Sequence, residues 1–379
     1  VFKFPKTAFT RVSKGNREVN SNLNQSNVAL FAGDFDLAAM HAELALSNKR
    51  ASRNQRLAAT FLLIRVRSRQ GTFSNVLDDL DVLFERVPRS NSNLKAKIAN
   101  EIMWVCFRSG NLGIGAQRGE AYYAKHRNEW PEVELVELLC QLSSCHFHRG
   151  DTNRAEEVVE KALKVADKAQ SAKGRTQSYW QSSALNNVGG DLTLALQQIE
   201  QARSWAQIAE FKNVMPILNT NAALILLDLP NSDLERAHEL AEGAYLELTL
   251  QNAPGGASYA CEILSEVALR REDYAMALTC AQKGLAELPP EIPGPKASLL
   301  VQVAKVHARL GDYIVAKTEL QVASEHMEQL EPSKELAKQW GDLARVYVEV
   351  GLTDRGVYAY EKAIQMSGLL REEQESAVI

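Results

Sequence analysis

The densest run of chemistry-bearing side chains is Cys140-Gln-Leu-Ser-Ser-Cys145-His146-Phe-His148. Thiolate and imidazole are ligands that zinc favours, and a structural zinc site closes with four of them. On a helix, Cys145 and His148 stand about one turn apart and can share a face, while His146 points nearly opposite. That arrangement reads as a buried structural cysteine and two ordinary histidines, so no metal or other cofactor is expected. Gly189-Gly190 and Gly255-Gly256 could cradle a phosphate, but neither belongs to a Gly-x-Gly-x-x-Gly or Walker pattern. The first reads as a turn between helices and the second as a connector, both breaking the backbone. Gly-x-Ser-x-Gly and His-Glu-x-x-His are absent as well. The chain is not read as an enzyme.

A second group of side chains suits recognition. Arg, Asn and Gln hold peptide backbones and carboxylates by directional hydrogen bonds, and Trp offers a flat apolar platform. They recur at fixed distances from a turn, so the elements that place them repeat. Gly-Asp-Phe at 33–35, Gly-Thr-Phe at 71–73 and Gly-Asn-Leu at 110–112 recur as Gly-Asp-Thr at 150–152 and Gly-Asp-Leu at 190–192. Glu-Asp-Tyr at 272–274, Gly-Asp-Tyr at 311–313 and Gly-Leu-Thr at 351–353 follow. The spacings are 38, 39, 40 and 40, then 82 across two units, then 39 and 40. The unit inside the double interval shows as Ala237, Ala241 and Ala244, after a longer turn, Leu-Pro-Asn-Ser-Asp. Nine units result.

Each unit reads as a helix A, the turn and a helix B. Counting from the turn glycine, offsets +2, +5, +9 and +12 form one helical stripe. Offset +5 is small in Ala38, Gly115, Ala155, Ala195, Ala277, Ala316 and Gly356, which lets neighbouring helices approach closely. Offsets −11, −8, −7 and −4 form the matching stripe on helix A, clearest as Trp340, Leu343, Ala344 and Tyr347. Prolines fall mostly between units, where a helix must end, and Pro289–Pro295 reads as a stiff linker. No window alternates as a strand does, so the fold class is all-α.

The pattern resembles the tetratricopeptide repeat over roughly residues 19–370, with a period near 40 in place of 34. The resemblance implies a right-handed α-solenoid of about nine helical hairpins. Residues 1–18 are then a basic N-terminal extension and 371–379 a C-terminal tail. The last units, with Ala316–Glu325, Gln339–Ala344 and Tyr358–Ala363, resemble the repeats of actinobacterial helix-turn-helix regulators. In those proteins a Cro-like DNA-binding domain precedes a repeat sensor, and Lys6–Gly15 is similar to the end of such a recognition helix.

Offsets −10, −9, −6 and −2 lie on one arc of helix A opposite the core stripe, expected to form the concave face of the array. The candidate ligand-binding residues there are Asn24, Asn27, Arg65, Arg69, Asn100, Trp104, Arg108, Gln141, His148, Gln181, Asn187, Asn221, Arg270, Lys305, Arg309 and Arg345. Chaperone adaptors of this family grip a carboxylate with Lys and Asn on three consecutive A helices, an arrangement not found here. Peptide-sensing regulators use an Asn on helix A, which Asn24, Asn27, Asn100, Asn187 and Asn221 could supply.

Composition agrees with a folded, non-fibrous chain: 379 residues, 45% hydrophobic and 24% charged. Five scattered cysteines do not suggest a disulfide framework. The N-terminus lacks the apolar core of a signal peptide, so the cytoplasm is the expected compartment. The net charge of −4 conceals an asymmetry: residues 1–128 carry 20 basic against 10 acidic side chains, and the remainder 23 against 37. The expected function is a peptide- or protein-binding array, the sensor part of a bacterial cytoplasmic regulator of the transcriptional type. A free-standing assembly scaffold or adaptor is the alternative, as is nucleic-acid binding through the basic N-terminal third. A homodimer fits either reading, and a membrane partner neither.

Overall fold

The computed structural model describes residues 14–31, 33–70, 75–251, 253–288, 293–330, 332 and 334–376, which form eighteen α-helices and no strand. They fall into two compact units, one reaching Val105 and one starting at Cys106. The first holds α1 (Lys14–Phe31), α2 (Phe35–Ser47), α3 (Arg53–Arg69), α4 (Val76–Arg86) and most of α5 (Ser92–Arg108). The second continues with α6 (Leu112–His126), α7 (Glu132–His148), α8 (Thr152–Lys168), α9 (Ala172–Gly189), α10 (Leu192–Ile208), α11 (Met215–Asp228) and α12 (Leu234–Leu250). It ends with α13 (Pro254–Arg270), α14 (Tyr274–Glu287), α15 (Pro293–Arg309), α16 (Tyr313–Met327), α17 (Lys334–Glu349) and α18 (Thr353–Ser376). Odd helices are the A members of nine hairpins and even helices the B members.

The Gly-Asp signature has a direct physical cause. Gly33, Gly110, Gly150, Gly190, Gly311 and Gly351 take φ between 74° and 89°, the left-handed region that costs other residues a steric penalty. In the turns at Asp34, Asp151, Asp312 and Leu352 the residue after the glycine sends its N–H back to a carbonyl five positions earlier, as Asp151 does to His146 (3.0 Å), and so closes helix A. The same Asp then caps helix B: Asp34, Asp151, Asp191 and Asp273 accept from the N–H three residues on, at 3.0–3.1 Å. Two residues thus end one helix and start the next. The turn at 71–74 lies outside the described residues. The longer turn of the sixth hairpin runs from Leu229 to Asp233, as its sequence suggests, and Asp233 caps α12.

A second device recurs inside the hairpins. Seven residues before the turn, Ser26, Ser143, Ser183 and Ser265 are buried on helix A. Each donates its hydroxyl to the carbonyl oxygen twelve residues on, in Ala38, Ala155, Ala195 and Ala277, at 2.7–2.8 Å. A hydroxyl reaches the facing backbone only because the helix B residue is alanine. The eighth and ninth hairpins place Ala304 and Ala344 at that position. The apolar stripe of α17 packs as its spacing implies, with Trp340, Leu343, Ala344 and Tyr347 at 0–2% exposure.

In the second unit most odd helices also pack against the next odd helix: α7 on α9, α11 on α13, α13 on α15 and α15 on α17. No even–even pair makes a comparable contact among the described residues. The odd helices therefore crowd on the inner side of the curve. Lys338 of α17 reaches Asp228 of α11 at 3.8 Å, three hairpins away.

Several sequence expectations need correction. Gly255-Gly256 is not a connector; both lie in the first turn of α13, where a side chain at Gly256 would meet Leu248 at 2.9 Å. Pro293 and Pro295 open α15, because the first turn of a helix has no N–H partner to lose, and Pro289–Ile292 lies outside the described residues. Of the segment likened to a recognition helix, only Lys14 and Gly15 are described, and they begin α1.

Ser183→Ala should lower stability by about 1 kcal/mol, the net worth of one buried hydrogen bond. Urea unfolding checks it. An unchanged midpoint would mean that the alanine contact alone sets the hairpin geometry.

Candidate functional site

The inner face of the odd helices is built differently in its parts. In the first unit its centre is a carboxylate. Glu101 of α5 is only 4% exposed and accepts from Ser68 Oγ at 2.6 Å and Arg65 Nε at 3.1 Å. Arg69 Nη2 donates to Glu101 Oε2 at 3.0 Å, and Nη1 lies 3.0 Å from the other oxygen as part of the same ion pair. Helix geometry explains the set: Arg65, Ser68 and Arg69 lie within one turn and a step of α3, so all three turn toward the neighbouring A helix. The guanidinium of Arg69 stacks on the Trp104 ring, 3.5 Å from its centroid. Asn100 was expected on the open face; at 3% exposure it is buried in α5. Asn24 and Asn27 stand exposed on α1, where Asn27 Nδ2 donates to the Leu23 carbonyl at 3.0 Å.

In the second unit, α7, α9 and α11 present amides and hydroxyls. Ser144 Oγ donates to Gln181 Oε1 at 3.0 Å, Gln141 Nε2 to Glu137 at 3.4 Å and Asn221 Nδ2 to the Ile217 carbonyl at 2.9 Å. The amide oxygens of Gln141, Gln177 and Asn187 are enclosed and have no hydrogen-bond partner in the protein. Exposed Val188 stands beside Asn187 at the end of α9. His148 is held between ring edges of Phe107 and Phe147, at 5.1 and 5.4 Å, and Arg108 ends α5 exposed.

Helices α13, α15 and α17 are charged and paired. Glu266 of α13 accepts from Arg270 at 3.0 Å, Gln302 at 3.2 Å and Lys305 at 3.4 Å. Burial pushes its carboxyl up, yet Lys305, Arg270 and Gln302 outweigh that and hold it below the ordinary carboxylate range. Arg270 also donates to the Leu227 carbonyl. Arg309 pairs with Glu349 at 3.2 Å, and Arg345 with Asp342. Between α13, α15 and α17 a polar cavity of about 20 Å³, lined by Glu262, Ser298, Gln302, Lys305 and Asp342 among others, has room for roughly one water.

The sequence list therefore divides. Arg65, Arg69, Arg270, Lys305, Arg309 and Arg345 all have carboxylate partners in the protein itself. Glu101 and Glu266, the acceptors at the centre of two of these networks, were not among the candidates. The signal was present: each acid stands on one A helix opposite bases at offsets −6 or −2 of another.

The Cys140–His148 run does not converge. Cys140 lies 4.0 Å from Ser178, and burial pushes the Cys140 and Cys145 thiols up to about 12. His146 faces Glu120 at 3.3 Å and Asp151 at 3.8 Å. Burial lowers its pKa despite those carboxylates. No group of three His, Cys, Asp or Glu able to hold a metal occurs among the described residues, and no described helix is long and apolar enough to cross a membrane.

Glu101→Ala should cost about 3 kcal/mol, because it strands two guanidinium groups that the fold has half removed from water. Glu266→Gln tests the second network by pH. A carboxyl held low in the folded state stabilises it above the unfolded value near ~4.3 and loses that contribution as pH falls through the folded value. The variant should lose less stability than the parent between neutral pH and that range. Parallel pH profiles would show that the pairing adds nothing.

Comparison with known proteins bears on the whole array. A family model of the tetratricopeptide repeat matches residues 136–168, which span α7 and α8. No curated protein matches the sequence. Among solved structures, a Rap protein complexed with competence and sporulation factor aligns with TM-score 0.65 at 15% identity, covering 94% of this chain and 99% of that one. Aspartyl phosphate phosphatase F from Bacillus subtilis aligns at 0.55 and 13% identity, covering 94% and 95%. NprR in complex with its cognate peptide NprX aligns at 0.53 and 14%, covering 92% and 89%. Identities this low establish shared fold alone. The described residues thus form an array of nine helical hairpins with a recurring Gly-Asp turn, one of which, at residues 136–168, matches the tetratricopeptide repeat, and the array shares its fold with the Rap proteins.

Proposed function

We propose that the chain is a non-enzymatic receptor for an extended peptide or protein segment, and that it serves as the sensor part of a bacterial cytoplasmic regulator. One observation carries the reading: the enclosed amide oxygens of Gln141, Gln177 and Asn187 have no partner in the protein. Buried polar atoms are almost always hydrogen-bonded, so unsatisfied acceptors just beneath an inner face favour a ligand that turns these side chains outward and brings donors. Backbone N–H groups of an extended segment are such donors, and exposed Val188 offers an apolar contact beside them. The fold shared with NprR, crystallised in complex with its cognate peptide NprX, supports the same reading. Charged groups elsewhere on the face are occupied by their own partners, so selectivity is expected to come from amides and shape more than from ion pairing.

A display library of unstructured peptides panned against the chain should enrich binders. Gln141→Ala with Asn187→Ala should weaken the best of them about tenfold or more, the effect of ~1.4 kcal/mol. Because neither amide oxygen has a protein partner, the melting temperature should stay nearly unchanged. Binders unaffected by both substitutions would move the site off α7 and α9.

A second reading, nucleic-acid binding, rests on a charged surface of the first unit. Lys49, Arg50, Arg53, Arg56, Arg86 and Arg89 are all exposed and lie in or beside the turns that follow α2 and α4. Arg53 reaches the Arg86 carbonyl at 3.4 Å, which links the two turns, and Arg56 reaches the Lys49 carbonyl at 3.5 Å within the first. Duplex DNA bound there should dissociate steeply with salt, each phosphate contact adding about −0.9 to the logarithmic slope. Arg53→Glu with Arg86→Glu should abolish it. Absence of binding at low ionic strength removes this reading.

A further inference from the structure

Between α13, α15 and α17 an unsatisfied acceptor meets a cavity. Gln302 of α15 lines that cavity and is only 6% exposed. Its Nε2 donates to Glu266 Oε2 at 3.2 Å. A carboxylate only accepts, so this bond fixes which end of the amide carries the hydrogens and leaves Oε1 to the cavity. Oε1 is enclosed and has no partner in the protein.

Two carboxylates share the wall. Glu262 accepts from Ser298 Oγ at 2.9 Å through Oε1, and Asp342 accepts from Arg345 through Oδ1. A carboxylate offers about four lone-pair sites, so both keep acceptor capacity after those bonds. The lysine of the wall, Lys305, is drawn to Glu266, with Nζ at 3.4 Å from Oε2. Buried Val301 and Met327 supply the apolar part of the lining. The space itself, about 20 Å³, takes one group the size of a water. A water brings as many acceptors as donors, so half of its bonding capacity would go unused against such a wall. A divalent cation wants six or more oxygens, and no three acidic, thiol or imidazole groups converge to hold one among the described residues. A guanidinium is a planar fork wider than the space, whereas a primary ammonium is compact, positively charged and carries three donors with no acceptor.

We propose that this cavity is a binding site for a primary ammonium group, held by Gln302 Oε1 and the carboxylates of Glu262 and Asp342, with the adjoining methylenes against Val301 and Met327. Three donors meet three acceptor groups, and the added charge answers two carboxylates whose wall holds one lysine. The site stands apart from the amides of α7 and α9 and does not depend on them. A free alkylamine and a lysine side chain both present the group, and the lining helices α13, α15 and α17 belong to the inner side of the array, which is open to either.

Isothermal titration of the full chain with n-butylammonium chloride should show saturable binding. Tetramethylammonium chloride at equal ionic strength, which has the charge but no N–H, should show none. Gln302→Met keeps the length of the side chain and removes the acceptor, and should weaken n-butylammonium binding about tenfold or more, the effect of one hydrogen bond to a charged group. Asp342→Asn removes a charge at a half-buried position, so it gives the same test in a chain whose fold is not at stake. N-acetyl-lysine amide separates the two sources. Binding at least as tight as that of n-butylammonium assigns the site to a polypeptide lysine, and weaker binding assigns it to a free amine. These compounds have no extended backbone, so their failure leaves the peptide reading of α7 and α9 standing. No saturable binding of n-butylammonium, binding matched by tetramethylammonium, or binding indifferent to both substitutions overturns the proposal and leaves the cavity to water.

Discussion

The close approach of each A helix to its B helix is the contact on which the rest depends. In most hairpins it is made by alanine or glycine on one side and by alanine or serine on the other, with the serine hydroxyl bonded to the facing alanine carbonyl in four of them. Large side chains there would force the helices apart and carry the hydroxyl beyond reach of the backbone. Gly356 shows how little slack remains, since a Cβ added to it would fall 2.6 Å from Val348 Cγ2. The turn must deliver the chain into this contact, which is why a left-handed residue and a capping aspartate recur together.

Because each hairpin is narrow at that point, its bulkier residues are pushed outward along the stack. Tyr245, Leu248 and Trp340 fill spaces between successive hairpins, and the apolar cores of the second unit run from one hairpin into the next. Stability in such an array is close to a sum over neighbours.

The inner face obeys a second constraint. Crowding the A helices together brings their polar side chains within bonding distance before any ligand arrives. Acids and bases satisfy one another, as around Glu101 and Glu266, because a charge half removed from water costs several kcal/mol unless paired. Amides are less demanding, and on α7 and α9 some remain unsatisfied. The unsatisfied acceptors of this face are thus amides, the reverse of what the abundance of arginine suggests.

The repeat, the helix boundaries near each Gly-Asp pair, the small-residue stripe and the nine hairpins were legible in the sequence, for a local reason. Left-handed glycine, a capping aspartate and a 3.6-residue apolar period act within a few residues of one another. Even the longer turn before Asp233 could be read. Gly255-Gly256 misled because two glycines usually break a helix, and only packing against Leu248 makes them its first turn. Asn100 misled for a related reason: its offset marks the open arc of a helix, but burial depends on what the next helix brings. Which arginines remain available to a ligand was decided entirely by tertiary structure. Arg65 and Arg69 look open until Glu101, more than thirty residues away, is folded against them, and no local pattern carries that information.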